Sequence, residues 1–191
     1  MPYKVYITDA LVCGHKNLNT SDKVYQLFTR EAGMLWVTAQ SVRMEKSKHR
    51  YALQDFSHIR VSLVRGKGGW RIVSSEVQDN LYYTTSNRYT RATVRNVLRL
   101  LRRVVRGEEA HAGLFDDVMH GFAHLGVVAD TPLETVLMLR IMYALGYVPA
   151  AAHYDAVLAE NYEYTTVEAL TSDALTACKT TLTQAIAHSQ L

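Results

Sequence analysis

The side chains in this sequence that could do chemistry are mainly bases, and one group of them is dense. Between residues 43 and 50, one acid, Glu45, stands among four bases: Arg43, Lys46, Lys48 and Arg50. A run of this kind is typical either of a solvated loop or of a site that holds phosphate by charge neutralisation. Its neighbours in the sequence favour the second alternative.

Further bases and three aromatic residues surround this run. The additional bases are Lys23, Arg60, Arg65, Lys67 and Arg71. The aromatics are Tyr25, Trp36 and Trp70, which could stack on exposed nucleobases. Cations for phosphates and flat faces for bases are what single-strand binding requires, so we predict that these nine bases form a nucleic-acid site. Each aromatic also has an alternative place in a core, because large aromatics dominate core burial.

Catalytic or metal chemistry has weaker support. The sequence has no G-x-S-x-G, Walker A or G-x-G-x-x-G motif. Asp116, His120 and His124 follow each other at helical spacing, as zinc ligands can, although a solvated histidine face has the same pattern. We predict no catalytic residue, no cofactor and no metal. A metal-dependent hydrolase built on the two histidines is the alternative.

The charge is divided along the chain. Residues 1–107 carry 19 bases and 7 acids, a net +12, whereas residues 108–191 carry 2 bases and 11 acids, a net −9. The basic half predicts a polyanionic partner, or else the two halves attract each other. Hydrophobic residues make up 48% of the chain, and no apolar window is long enough for a membrane span. We therefore expect a globular, cytoplasmic protein associated with the nucleoid and not with membranes.

The elements that must position the bases are short strands. Apolar and polar residues alternate at the N-terminus and again over 58–63, and the segments 23–29, 34–40 and 70–74 have strand character. Five closely spaced strands without an intervening helix predict a small closed barrel over residues 1–82. The basic run then forms a loop between two barrel strands.

The period becomes helical from residue 88, and residues 83–191 are predicted to form an α-helical domain. Its first helix has an apolar stripe and an arginine-rich arc, from which we predict partner binding by Arg91, Arg95, Arg99 and Arg102. The partner is either an acidic peptide or a second DNA strand. Arg140 interrupts a later apolar helix, and it pairs either within the domain or with an acidic partner tail.

Four segments of the first domain together resemble the N-terminal domain of the RecO family of recombination mediators. They are TDALV (8–12), SDKVYQLFTREAG (21–33), YALQDFS (51–57) and VSLVRGKG (61–68). Their order and spacing match through nearly eighty residues. Farther on, MLR (138–140) and LGYVP (145–149) are similar to the family's helical domain.

The resemblance implies an α+β protein, with an N-terminal five-stranded OB-fold barrel followed by helices. It implies DNA repair and recombination by binding and annealing single-stranded DNA and by helping to load RecA, without catalytic residues. The implied partners are single-stranded DNA, RecR, the C-terminal tail of single-strand-binding protein and, indirectly, RecA. Many relatives carry four zinc-binding cysteines after the segment matching Pro149, whereas this sequence has none there, so we expect no zinc module. The competing class is a protein-interaction adaptor whose barrel no longer binds DNA.

Overall fold

The computed structural model describes residues 4–85, 87–127, 130–149, 155–158 and 171–189. The chain divides into two compact units. The barrel unit comprises Met1–Thr84 and Val105–Phe115, and the helical unit comprises Thr85–Val104 and Asp116–Leu191. Residues 105–115 thus group with the barrel, although they follow the first long helix in sequence.

The barrel unit contains five strands that close into a barrel in the order β1-β2-β3-β5-β4. They are β1 (Val5–Asn17), β2 (Lys23–Thr29), β3 (Gly33–Ala39), β4 (Ser57–Gly66) and β5 (Gly69–Asn80). Every pairing is antiparallel except the short parallel contact of β3 with β5. The predicted five-stranded barrel is confirmed.

The barrel closes because β1 bends and pairs with two strands. Its first part pairs with β4 and its second part with β2, and a register shift lies between Val12 and Gly14. Bulges of this kind increase the local twist that a small closed sheet needs. Alternate side chains then fill the interior, among them Val12, Leu27 and Val61.

The segment between β3 and β4, predicted to be a loop, contains a short helix, α1 (His49–Ala52). Val42 before this helix and Leu53 after it are buried in the barrel core. Leu53 therefore fixes the end of the basic run to the barrel core. Phe56, three residues farther on, is half-buried and outside that cluster, and it has a positive φ of 70°.

The 105–115 segment covers one side of the barrel. The Met34 amide donates to the Gly107 carbonyl (3.1 Å), and the Phe115 ring packs against Phe28 (5.5 Å between ring centroids). A Cβ on Gly33 would collide with the Glu109 carbonyl, and Gly33 also has a φ of +63°. Glycine is therefore required at this turn for two reasons.

The helices include α2 (Leu81–Thr84), which belongs to the barrel unit, and α4 (Ala112–Ala123), which the division between units crosses. The helical unit holds α3 (Arg88–Val104), α5 (Asp130–Ala144), α6 (Asp155–Leu158) and α7 (Ser172–His188). The apolar side of α3 is buried as predicted, for example at Val97 and Leu101. The Glu134 carboxylate accepts hydrogen bonds from Thr93 Oγ1 (3.0 Å) and Asn96 Nδ2 (2.9 Å).

Several predictions concern residues beyond those described. The sequence has a capping pattern at Thr165 and Glu168, which predicts a helix start there, and this pattern lies outside the described residues, as does most of the cysteine-free segment after Pro149. Within the described part of the chain, no helix is both long and apolar enough to cross a membrane.

Candidate nucleic-acid interface

A pocket of about 420 Å³ lies at the end of the barrel beside α1. Three of the predicted bases line it, and each comes from a different element: Lys23 from the start of β2, Arg43 from the loop after β3, and Arg50 from α1. Among the residues described, no carboxylate lies within salt-bridge distance of these three side chains. Their mutual repulsion therefore favours an anion in the pocket.

The backbone that carries Arg43 is held in place by the turn between β1 and β2. The Arg43 amide donates to the Ser21 carbonyl (3.0 Å), and its guanidinium donates to the Asn19 carbonyl (2.9 Å). Asp22 accepts from the Ser41 amide (2.7 Å), and this bond, followed by that from Asn19, lowers the pKa of Asp22. The loop therefore presents its bases from a fixed frame.

The pocket also contains one acid, Asp55, which is paired. Its carboxylate lies 2.9 Å from His15 Nδ1. Tyr25 forms part of the lining and is 1% exposed. Burial, and secondarily the charge of Asp55, raises the pKa of Tyr25 to about 12. The phenol therefore stays neutral at physiological pH and adds no negative charge to the pocket.

A second surface lies on the outside of the barrel across β1, β2, β3 and β5. We call it the outer face and define it by Lys16, Val24, Trp36, Thr38 and Arg71. Trp36 is 47% exposed, and the Lys16 ammonium lies 5.4 Å from the centroid of its ring. Val24 pairs with Thr38, and Thr38 with Arg71, so these three side chains form a row across the strands. The outer face offers an aromatic plane flanked by cations.

The pocket and the outer face share two strands. Successive side chains of a strand point to opposite sides. His15 and Lys23 therefore line the pocket, whereas their neighbours Lys16 and Val24 belong to the outer face. Of the predicted stacking residues, Trp36 is on the outer face, whereas Tyr25 and Trp70, 8% exposed, are core residues.

Three further predicted bases are exposed at other points of the barrel unit. Lys46 and Lys48 lie in the loop that leads into α1, and Lys67 lies in the turn between β4 and β5. No carboxylate of the described residues pairs with any of them. These side chains extend the positive surface beyond the pocket.

Two of the predicted bases are already neutralised. Arg60 Nη1 lies 3.4 Å from Asp9 Oδ1, and Arg65 Nη1 lies 2.8 Å from Glu108 Oε2. Arg65 also lies over the Trp70 ring, 5.4 Å from its centroid. Both arginines belong to β4, whose surface therefore differs electrostatically from that around the pocket.

The arginines of α3 also differ from one another. Arg95 and Arg99 are exposed, and no carboxylate among the described residues pairs with them. Arg91 is half-buried and donates to the Thr85 carbonyl (3.3 Å). Arg102 is exposed but already has an interaction within the protein. Of the four arginines predicted to bind a partner from this helix, Arg95 and Arg99 are therefore the most available.

Arg140 forms an internal salt bridge with Asp117. Its side chain is 11% exposed, and Nη2 and Nε reach the two carboxylate oxygens at 2.5 and 3.0 Å. A bidentate pair of this geometry is among the stronger charged contacts in proteins. The structure thus shows the first of the two alternatives considered for Arg140.

Within the described parts of the chain, the histidines of α4 form no metal-binding group with other side chains. His120 and His124 lie with ring centroids 5.0 Å apart, and His124 Nδ1 lies 2.9 Å from the His120 carbonyl oxygen. In the described residues, no group of three or more His, Cys, Asp or Glu side chains could hold a metal ion. The metal-dependent hydrolase has no support in this arrangement.

Lys16 was not predicted from the sequence. The signal that could have placed it is strand alternation, because Leu35 and Val37 are apolar neighbours that turn Trp36 outward. An outward-facing tryptophan indicates a binding face that extends to nearby strands, and Lys16 lies on one of them. Tyr51 on α1 was also missed, and it is 72% exposed next to Arg50.

A five-stranded closed barrel with this strand order and a helix between β3 and β4 is an OB-fold, here joined to a helical unit. Oligonucleotide-binding members of this fold use the face of strands 2 and 3. The outer face occupies that position.

Comparison with known proteins agrees with this class. Residues 1–80 match the family described as "Recombination protein O N terminal". A relative in Laribacter hongkongensis (strain HLHK9), named "DNA repair protein RecO", is 29% identical over 151 residues. The match covers 78% of this chain and 61% of the relative. The chain is therefore similar to RecO proteins, most clearly in its barrel unit, and spans about 61% of the length of this relative.

Proposed function

We propose that this protein acts in DNA repair and recombination by binding single-stranded DNA through its barrel unit. The observation that carries the proposal is that seven of the nine predicted bases have no carboxylate partner among the described residues: Lys23, Arg43, Lys46, Lys48, Arg50, Lys67 and Arg71. Exposed unpaired cations attract phosphates and release counterions when they bind them. The name of the relative, "DNA repair protein RecO", supports the same role.

The two surfaces have different roles in the proposed binding of a strand. The basic run and the pocket would hold phosphates, while Trp36 on the outer face would stack on an unpaired base. Stacking on an aromatic ring tolerates any base, which suits a protein that binds single strands without sequence preference.

The proposal extends to annealing and to partners. Strand annealing, help in loading RecA, and binding of RecR and the tail of single-strand-binding protein are proposed from the family. Arg95 and Arg99 on α3 are the residues we propose for an acidic partner segment, since they are exposed and lack a carboxylate partner among the described residues. None of these roles requires a catalytic group.

Titration of labelled oligothymidylate at low salt tests the proposal. We expect saturable binding that weakens steeply as salt is added, because each released counterion contributes to the dependence. Absence of binding at the lowest salt would reject the proposal and favour an interaction adaptor with the same fold.

A further inference from the structure

The pocket beside α1 has features that a continuous strand does not need. It is a concavity of about 420 Å³, within the range of sites that hold small molecules. A strand that only follows a surface can neutralise its phosphates with cations spread along a groove. Here Lys23, Arg43 and Arg50 converge from three elements on one space.

The composition of the pocket favours an anion with more than one charge. Its single carboxylate, Asp55, is paired with His15, so three strong bases remain without an acid among the described residues. An internal phosphodiester carries one negative charge, whereas a phosphomonoester carries between about 1.5 and 2 at pH 7 and offers three acceptor oxygens. Three converging cations match a phosphomonoester better than a phosphodiester.

The remaining lining contains apolar residues and an amide beside the three bases. Tyr25, Val42 and Leu53 line the pocket and are each no more than 3% exposed, and Gln54 contributes a side-chain amide. Small-molecule sites commonly combine an apolar lining with a few polar groups that fix orientation. The pocket has both components.

We infer that this pocket binds the terminal phosphate of a DNA strand, together with the nucleoside that carries it. The inference rests on the proposed function and deepens it: the outer face would hold the strand while the pocket recognises its end. A protein that anneals strands would thereby bind preferentially where a single strand terminates.

Fluorescence anisotropy with matched oligothymidylates tests the inference. One strand carries a 5′-phosphate, one a 3′-phosphate and one hydroxyls at both ends, with the dye attached within the strand. We expect one phosphorylated strand to bind about tenfold more tightly than the hydroxyl strand, as one added charge-assisted hydrogen bond would produce. Equal affinity for all three strands would overturn the inference and leave the proposed function standing.

Variants connect that preference to the pocket. Lys23→Ala and Arg50→Ala should each reduce the ratio of phosphorylated to hydroxyl affinity towards one. Lys67→Ala is the matched control, because Lys67 is exposed and lies outside the pocket. It should weaken all strands equally and keep the ratio. A ratio that survives in Lys23→Ala and Arg50→Ala would overturn the inference.

A mononucleotide separates failure of this inference from failure of strand binding. Compared with thymidine, either thymidine 5′-monophosphate or thymidine 3′-monophosphate should raise the unfolding temperature of the full chain, and Arg50→Ala should abolish the effect. If strands with hydroxyls at both ends do not bind, the proposed function fails. The shift in unfolding temperature then still shows whether the pocket binds a nucleoside phosphate. An unchanged unfolding temperature with both nucleotides would reject the inference that the pocket binds a nucleoside phosphate.

Discussion

The bases of the barrel fall into two groups that the sequence makes look alike. Around the pocket and α1, Lys48 and Arg50 are exposed and have no carboxylate partner among the described residues. On β4, Arg60 and Arg65 are also exposed, but Asp9 and Glu108 pair with them. Density of bases in the sequence therefore does not measure the charge available to a polyanion. The position of each acid in the fold decides that charge.

The helical unit shows the same contrast on a smaller scale. Arg95 is exposed on α3 and lacks a carboxylate partner among the described residues, whereas Arg140 is largely buried and held by Asp117. Substitution of an exposed arginine has little effect on stability, whereas substitution of a buried arginine removes the main partner of the carboxylate that it binds. Substitution of Arg140 should therefore change the free energy of unfolding, whereas substitution of Arg95 should not.

The largest effect should come from reversing charge in the group without carboxylate partners. The variant Lys46→Glu/Lys48→Glu/Arg50→Glu should lose about a thousandfold in affinity for oligothymidylate at low salt, because three charge-assisted contacts are lost and three repulsions are added. Binding is measured by fluorescence anisotropy. All three residues are exposed, so circular dichroism should show an unchanged fold. Near-native affinity in a folded triple variant would remove this run from the interface.

The next largest effect concerns stability. Arg140→Ala should lower the free energy of unfolding by about 3 kcal/mol, because it leaves the Asp117 carboxylate partly buried without its bidentate partner. Urea denaturation measures the change. Arg95→Ala is the control and should change stability by less than about 0.5 kcal/mol. Equal effects of the two substitutions would contradict the contrast drawn within the helical unit.

Removal of the exposed tryptophan should have a moderate effect on binding. Trp36→Ala should weaken oligothymidylate binding about tenfold, since stacking of one base contributes about 1–3 kcal/mol. Trp36→Phe retains an aromatic plane and should recover most of the affinity. Titration of the two variants at the same salt concentration makes the comparison. If both variants match the unsubstituted protein, the outer face does not receive bases.

A smaller effect concerns the pH dependence of stability, to which His58 on β4 contributes. Burial lowers the pKa of His58, against the opposing effects of Asp9 and Asp79, from the ordinary value of 6.5. The folded state therefore disfavours protonation, so stability falls as pH drops below about 6.5 and the loss levels off below the lowered pKa. His58→Gln should show a shallower decline of unfolding temperature between pH 7 and 5. His49, whose pKa burial also lowers, remains as a background contribution in both proteins. Identical declines would assign the pH dependence to other groups.

Much of the barrel could be predicted because its determinants are local. Alternation in Leu35-Trp36-Val37 and the turn at Gly33 specify a strand and its start from neighbouring residues alone. The helix α1 was missed because it spans only four residues, too few to show a helical period. The role of Leu53 in the core was nevertheless recoverable, since an apolar residue within a polar segment usually has a buried partner.

The candidate site was less predictable because it depends on contacts across long separations. Asp9 is 51 residues from Arg60, and Glu108 is 43 residues from Arg65. No local pattern indicates which bases these acids neutralise. Convergence of Lys23, Arg43 and Arg50 likewise requires closure of the barrel, which brings the start of β2 beside α1.

The most direct test of the contrast between the two groups is the salt dependence of single-strand binding in two matched double variants. Lys48→Ala/Arg50→Ala should reduce the slope of log affinity against log salt by about 1.4, because each phosphate contact on a single strand contributes about 0.7. Arg60→Ala/Arg65→Ala should leave the slope nearly unchanged, since both side chains are already paired. Equal reductions in the two variants, or a larger one in the second, would contradict the account.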